Sequence, residues 1–120
     1  QPANGQLWFG TFEGVAAFDP VRKKFTKLNK QIAFKKSIIN SLLSDHQRNI
    51  WVGTADRGLV KISKDLKHIR IFNKKEGLKG LNIWRIYEDQ QNHIWVSIVL
   101  KGVAELRTSS EGKAYFNSIS

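Results

Sequence analysis

The side chains in this 120-residue chain that could do chemistry are two turn aspartates, Asp45 and Asp89, three histidines, His46, His68 and His93, and a large excess of lysine and arginine. A paired acid–base role needs two carboxylates at one centre, but Asp45 and Asp89 stand 44 residues apart. Each ends an apolar stretch and precedes a tight turn, where a carboxylate accepts backbone N–H bonds. The histidines fall at three non-equivalent places with no carboxylate at metal-ligand spacing on a shared strand or helix, so they read as surface residues. The chain has no cysteine, which excludes disulfides, zinc–thiolate sites and a thiol nucleophile. It also lacks a phosphate-cradling glycine loop followed by Lys-Ser/Thr and a serine in a nucleophile elbow. No catalytic constellation, metal set or cofactor site is expected, and the segment is read as non-enzymatic.

The 20 Lys and Arg residues against 10 Asp and Glu give a formal net charge of +10, a surface that attracts polyanions. Nucleic acid is not the expected partner, because there is neither a recognition helix nor the exposed aromatic strand pattern of RNA-binding sheets. No apolar run approaches the roughly 20 residues of a membrane span, so no membrane contact by this segment is expected. With 41% hydrophobic and 11% aromatic residues, the chain is too rich in core formers to be disordered.

What must position these groups is a repeat. Leu7-Trp8-Phe9-Gly10-Thr11, Ile50-Trp51-Val52-Gly53-Thr54 and Ile94-Trp95-Val96-Ser97-Ile98 place tryptophans 43 and 44 residues apart, the mark of one supersecondary unit used about three times. The offset of 44 also matches Ile39–Asp45 with Ile83–Asp89, and Gly58–Ile62 with Gly102–Leu106. Bulky groups on both faces of the first two strands of a unit, as at Ile38, Ile39, Leu42 and Leu43, call for burial on both sides. His68-Ile69-Arg70-Ile71-Phe72 alternates polar and apolar, as an outer edge does.

Short antiparallel sheets with buried inner strands and wet outer strands are propeller blades. The expected fold is therefore all-β, a β-propeller segment of about three four-stranded antiparallel blades, the first lacking its inner strand. Residues 1–31 would form the partial blade, 32–80 a complete blade and 81–120 the next, with Asn4-Gly5 as a hairpin turn. A β-solenoid is the alternative; a helical repeat is excluded by turn residues every eight to ten positions. About eleven strands fall short of a closed ring of typically 4 to 8 blades, so the remaining blades are expected elsewhere in the parent chain.

Ile39-Asn40-Ser41-Leu42-Leu43-Ser44-Asp45, Asn49-Ile50-Trp51-Val52-Gly53-Thr54 and Arg57-Gly58-Leu59 together resemble the two-component regulator propeller repeat. The third unit is similar through Asn82-Ile83-Trp84-Arg85-Ile86-Tyr87-Glu88-Asp89 and Ile94-Trp95-Val96. It departs from the pattern at Arg48 and Asn92, where a turn glycine is usual, at Ser97-Ile98 in place of Gly-Thr, and at Lys101 in place of the first glycine of Gly-Gly. The resemblance implies the periplasmic sensor region of a hybrid two-component histidine kinase of Bacteroidetes. In such a region the propeller binds or positions an oligosaccharide and the signal passes through a homodimer to a kinase outside this chain.

Within the repeat, Trp8, Trp51, Trp95, Asp45, Asp89, Gly53 and Gly58 read as structural. Trp84 differs, standing on an inner strand where the middle unit has Asn40, so it is a candidate for lining the axial channel. The loops that leave one propeller face carry Arg57, Lys101, Lys35, Lys36 and Lys79, with Phe12 beside them, and these with Trp84 are the candidate ligand residues. Lysines and Arg57 would meet a sulfated or uronic-acid sugar through charge-assisted hydrogen bonds. The competing expectation is a protein-interaction scaffold with no ligand site of its own.

Overall fold

A computed structural model describes residues 7–11, 14–19, 24–27, 38–65 and 68–119, the first three segments by their backbone pairing. Phe12, Lys35, Lys36 and the Asn4-Gly5 turn lie outside these residues. Eleven strands run through the described residues: β1 (Leu7–Thr11), β2 (Gly14–Asp19), β3 (Lys24–Lys27), β4 (Ile39–Ser44), β5 (Ile50–Thr54), β6 (Leu59–Ile62), β7 (Ile69–Phe72), β8 (Ile83–Glu88), β9 (Ile94–Ile98), β10 (Gly102–Thr108) and β11 (Ala114–Ile119). They form three antiparallel meanders, β1-β2-β3, β4-β5-β6-β7 and β8-β9-β10-β11. This is a β-propeller segment, with β4 beside β1, and β8 beside β4 and β5.

The period-2 alternation of the strands divides the second sheet into two apolar faces. Ile50, Val52, Val60 and Ile62 cluster on one face with Ile39, Leu42 and Ile69. On the other, Trp51, Leu59, Phe72 and Leu43 join Ile83, Ile86, Val96, Ile98, Ala104, Leu106 and Phe116 of the third sheet in a single core. Phe72 anchors it, stacked 5.8 Å from Trp51 and edge-on 5.9 Å from Phe116. Lys61 and Arg70 cover this core, 5.2 Å above Trp51 and 4.6 Å above Phe72, with their charged ends toward water. Gly53 permits the close approach of the two sheets: a Cβ there would lie 2.6 Å from Ser41 Oγ and 3.0 Å from Ile83 Cγ2.

The turn after each inner strand follows from its aspartate. Asp45 Oδ1 accepts the amides of Gln47 and Asn49, each at 2.9 Å, and Oδ2 accepts the Trp51 indole N–H at 2.7 Å. Asp89 repeats the arrangement with Gln91, His93 and Trp95, each at 2.9 Å. Arg48 and Asn92 in these turns are left-handed, with φ 69° and 67°, as expected of residues standing in glycine positions.

Candidate functional site

The loops β5–β6 (55–58), β7–β8 (73–82) and β9–β10 (99–101) emerge together at one end of the sheets. Gly58 N–H donates to Leu81 O at 3.0 Å and Val99 N–H to Asn82 O at 2.9 Å, tying both short turns to the long loop. A Cβ on Gly80 would sit 3.2 Å from Lys101 Cγ, so the Lys79-Gly80 stretch lies against the Lys101 stem. Asn73 and Glu76 shape the long loop by capping the 3-10 turn Lys74–Glu76 from both ends of its first turn. Arg57, Lys79 and Lys101 are thereby brought to one rim, Arg57 half-buried and the two lysines exposed.

Trp84 stands at the start of β8, the strand that follows the long loop. The pairing of β8 with β9 shifts between Ile83 and Arg85, and that of β4 with β5 shifts likewise between Ile39 and Ser41. Such a bulge re-aims the side chain it carries. In the second sheet the re-aimed residue is Asn40, whose amide bridges to Asn82 Oδ1 at 3.0 Å and Ile83 O at 2.9 Å. At the equivalent position the third sheet has Trp84, 53% exposed. An accessible indole beside basic loops can stack on a sugar ring while the cations take its anionic substituents.

The β9–β10 turn departs from its counterpart for a local reason. In the second sheet the buried Thr54 hydroxyl donates to Gly58 O at 2.8 Å and accepts the Arg57 amide at 2.9 Å. Ile98 has no hydroxyl, so Lys101 N–H bonds Ile98 O directly at 3.0 Å, and Leu100 takes a left-handed φ of 62° with its side chain 97% exposed. The sequence marks departures at Ser97-Ile98 and at Lys101; the left-handed residue is Leu100 between them.

A second group of polar side chains lies on the outer face of the third sheet, where the structure gathers Asp89 and His93, read from the sequence as structural and surface residues, with Glu105. Glu105, on β10 opposite Trp95, is buried at 4% exposure. Its Oε1 accepts Arg107 Nε at 2.8 Å, and its Oε2 lies 2.8 Å from His93 Nδ1, which is 3.7 Å from Asp89 Oδ2. The Trp95 indole N–H, then the His93 amide, hold the Asp89 carboxyl below the usual carboxylate range. Hydrogen bonding to Glu105 and its charge raise the Arg107 guanidinium above its ordinary value. Asn92, His93, Glu105, Arg107 and Tyr115 line a cleft of about 510 Å³ here. Glu105 reaches the histidine from the neighbouring strand, which spacing along one strand does not reveal, whereas Asp89 stands four residues before it in the same turn. The available signal was the repeat itself, since His93 replaces Asn49 and Glu105 replaces Lys61 at the offset of 44. His46 also gains a carboxylate: its Nδ1 lies 2.6 Å from Glu88 Oε2, linking the second sheet to the third.

Residues 34–56 and 77–98 match the family model of the two component regulator propeller, which bears out the resemblance read from the second and third units. No curated protein matches the chain in sequence. Among solved structures, the extracellular domain of BT3049 from B. thetaiotaomicron, described as a hybrid two component system, aligns with a TM-score of 0.73 at 24% identity over 98% of this chain. The extracellular domain of BT4673 from the same organism, described as a one component system, aligns with a TM-score of 0.71 at 16% identity over 98% of this chain. PorZ of Porphyromonas gingivalis, a surface component of the type-IX secretion system, aligns with a TM-score of 0.64 at 14% identity, again over 98%. The chain covers 20%, 21% and 24% of these three structures, in that order, so it corresponds to about a fifth to a quarter of each.

Proposed function

We propose that this chain is a non-catalytic segment of the periplasmic sensor propeller of a hybrid two-component histidine kinase, and that its basic rim takes part in recognising an oligosaccharide. The observation that carries this reading is the gathering of an exposed Trp84 with Lys79, Lys101 and Arg57 where three loops are tied together. The indole supplies a stacking surface and the cations favour sulfated or uronic-acid sugars. Lys35, Lys36 and Phe12 belong to the same proposed rim by their place in the repeat, with one blade over residues 32–80 and its neighbours over 1–31 and 81–120. The remaining blades, the kinase and the homodimer through which the signal passes belong to the parent protein. No helix among the described residues is long and apolar enough to cross a membrane.

The test is calorimetric titration with a sulfated chondroitin oligosaccharide, an oligogalacturonate and a neutral malto-oligosaccharide at low and moderate salt. The expected result is salt-sensitive binding of one acidic class, weakened about tenfold by Lys101→Glu and by Trp84→Ala, roughly 1.4 kcal/mol each. Binding of the neutral sugar with equal affinity would remove the acidic part of the reading. Absence of binding across the panel would favour the scaffold reading, to which the fully exposed Leu100 on the same rim also points, since such a side chain suits a protein contact.

A further inference from the structure

We infer that Asp89, His93 and Glu105 form a binding site for a divalent transition-metal ion of the zinc class. Their ligand atoms all lie within 4.8 Å of one another. One imidazole nitrogen and two carboxylate oxygens are a donor set that zinc accepts, with bonds of about 2.0–2.2 Å that set neighbouring ligand atoms roughly 3.3 Å apart in a tetrahedron. The separations from His93 Nδ1, 2.8 Å to Glu105 and 3.7 Å to Asp89, straddle that value.

Each carboxylate is already held by other partners. Trp95 Nε1 and two turn amides fix Asp89, and Arg107 Nε fixes Glu105 through the oxygen that does not face His93. Outer partners of this kind are what hold metal ligands in place. The burial of Glu105 adds to this. The residue is a buried carboxylate at a position where the second sheet has Lys61, which covers Trp51. Buried charges persist when they are paired or coordinate metals. Here one oxygen is taken by Arg107, and the other is aimed at the histidine.

With three protein ligands, a fourth position opens to the cleft lined by Arg107 and Tyr115, where a water or a ligand oxygen would sit. The site stays reachable when a neighbouring blade packs on this face. In the second sheet, which has its neighbour, the positions equivalent to His93, Arg107 and Tyr115 are Asn49, Ser63 and His68, and these remain half-buried or exposed.

The experiment is titration of the untagged protein with Zn²⁺ by calorimetry, and with Co²⁺ by visible absorption. The expected result is one ion per chain, with affinity reduced at least tenfold by His93→Ala and by Glu105→Lys and unchanged by His46→Ala. Glu105→Lys installs the residue that the sister sheet carries at this position, so it keeps a folded protein from which a ligand has been removed. In the unaltered protein, Zn²⁺ should shift the imidazole resonances of His93 and leave those of His46 in place. Absence of binding, binding that survives both ligand substitutions, or binding lost equally on His46→Ala would overturn the assignment. Because the readout is metal alone, its failure is independent of whether the rim binds a sugar.

Discussion

The Asp45 carboxylate is the point where turn, strand and core are joined, and Asp45→Asn tests that joint with the smallest change of shape. The amide oxygen of asparagine can still accept the Gln47 and Asn49 amides from the Oδ1 position. Its NH₂ group would then face the Trp51 indole N–H, now 2.7 Å from Oδ2, setting donor against donor. Trp51 is only 3% exposed, so water cannot replace the lost acceptor without opening the core. An unpaired buried donor costs about 1–3 kcal/mol, and loss of the charge on the two turn amides adds about 1 kcal/mol, for a total of roughly 2–4 kcal/mol.

The assay is equilibrium urea unfolding followed by far-ultraviolet circular dichroism, run as a double-mutant cycle with Trp51→Phe. With the indole N–H removed, Asp45→Asn should cost only the turn part, giving a coupling of about 1–3 kcal/mol. Additive effects, within about 0.5 kcal/mol, would refute the idea that the aspartate acts through the indole. The equivalent Asp89→Asn should be milder, because Trp95 is only half-buried and its indole can be reached by water.

Lowering the pH should weaken the fold through Asp89: its folded-state carboxyl is held below the ordinary value, so the stability it contributes is present above the unfolded value near pH 4 and is lost as pH falls through the lower folded value. Unfolding midpoints measured from about pH 6 to about pH 2 should show this acid sensitivity reduced in Asp89→Asn. Gly58→Ala should destabilise by more than about 2 kcal/mol, since φ is +85° and the new Cβ would lie 2.3 Å from Phe72 O, whereas Gly112→Ala, at φ +83° with open space around it, should show only the left-handed penalty of about 1–2 kcal/mol. Leu100→Gly should raise stability by roughly 0.5–1 kcal/mol in urea unfolding, because relief of the left-handed strain outweighs the added freedom of the unfolded chain and the side chain it removes is fully exposed.

What the sequence made legible was whatever the repeat imposes twice. Trp51 and Trp95, Asp45 and Asp89, and the left-handed turn positions Arg48 and Asn92 could be read by superposing the units at their offset of 44. Trp84 stood out because it breaks that superposition at Asn40. The left-handed Leu100 was not read, although its cause, Ile98 in place of a threonine, was visible as a departure from the repeat; the hydrogen-bond exchange that links the two shows only in the structure. The His93–Glu105 pair was not legible either. It depends on the β9–β10 register, and at the corresponding sites the second sheet has Asn49 and a lysine lying over tryptophan.

The differences between the two complete units fall in a physically ordered way. On the side of the third sheet that meets the second, Ile83, Ile86, Ala104 and Leu106 stand where Ile39, Leu42, Val60 and Ile62 stand, apolar for apolar, because sheet-to-sheet contact penalises unpartnered polar groups. The changes of chemical type lie on the outer face and the rim: Gly53 becomes Ser97, Lys61 becomes Glu105, Asn49 becomes His93, Asn40 becomes Trp84 and Asp56 becomes Leu100. Gly53 cannot take a side chain because Ile83 sits against it, whereas the Ser97 hydroxyl accepts the Arg85 amide at 3.1 Å. The cleft, the buried glutamate and the exposed indole are thus particular to the third unit, and Glu105→Lys and Trp84→Asn, which bring in the residues of the second unit, should alter binding without unfolding the chain.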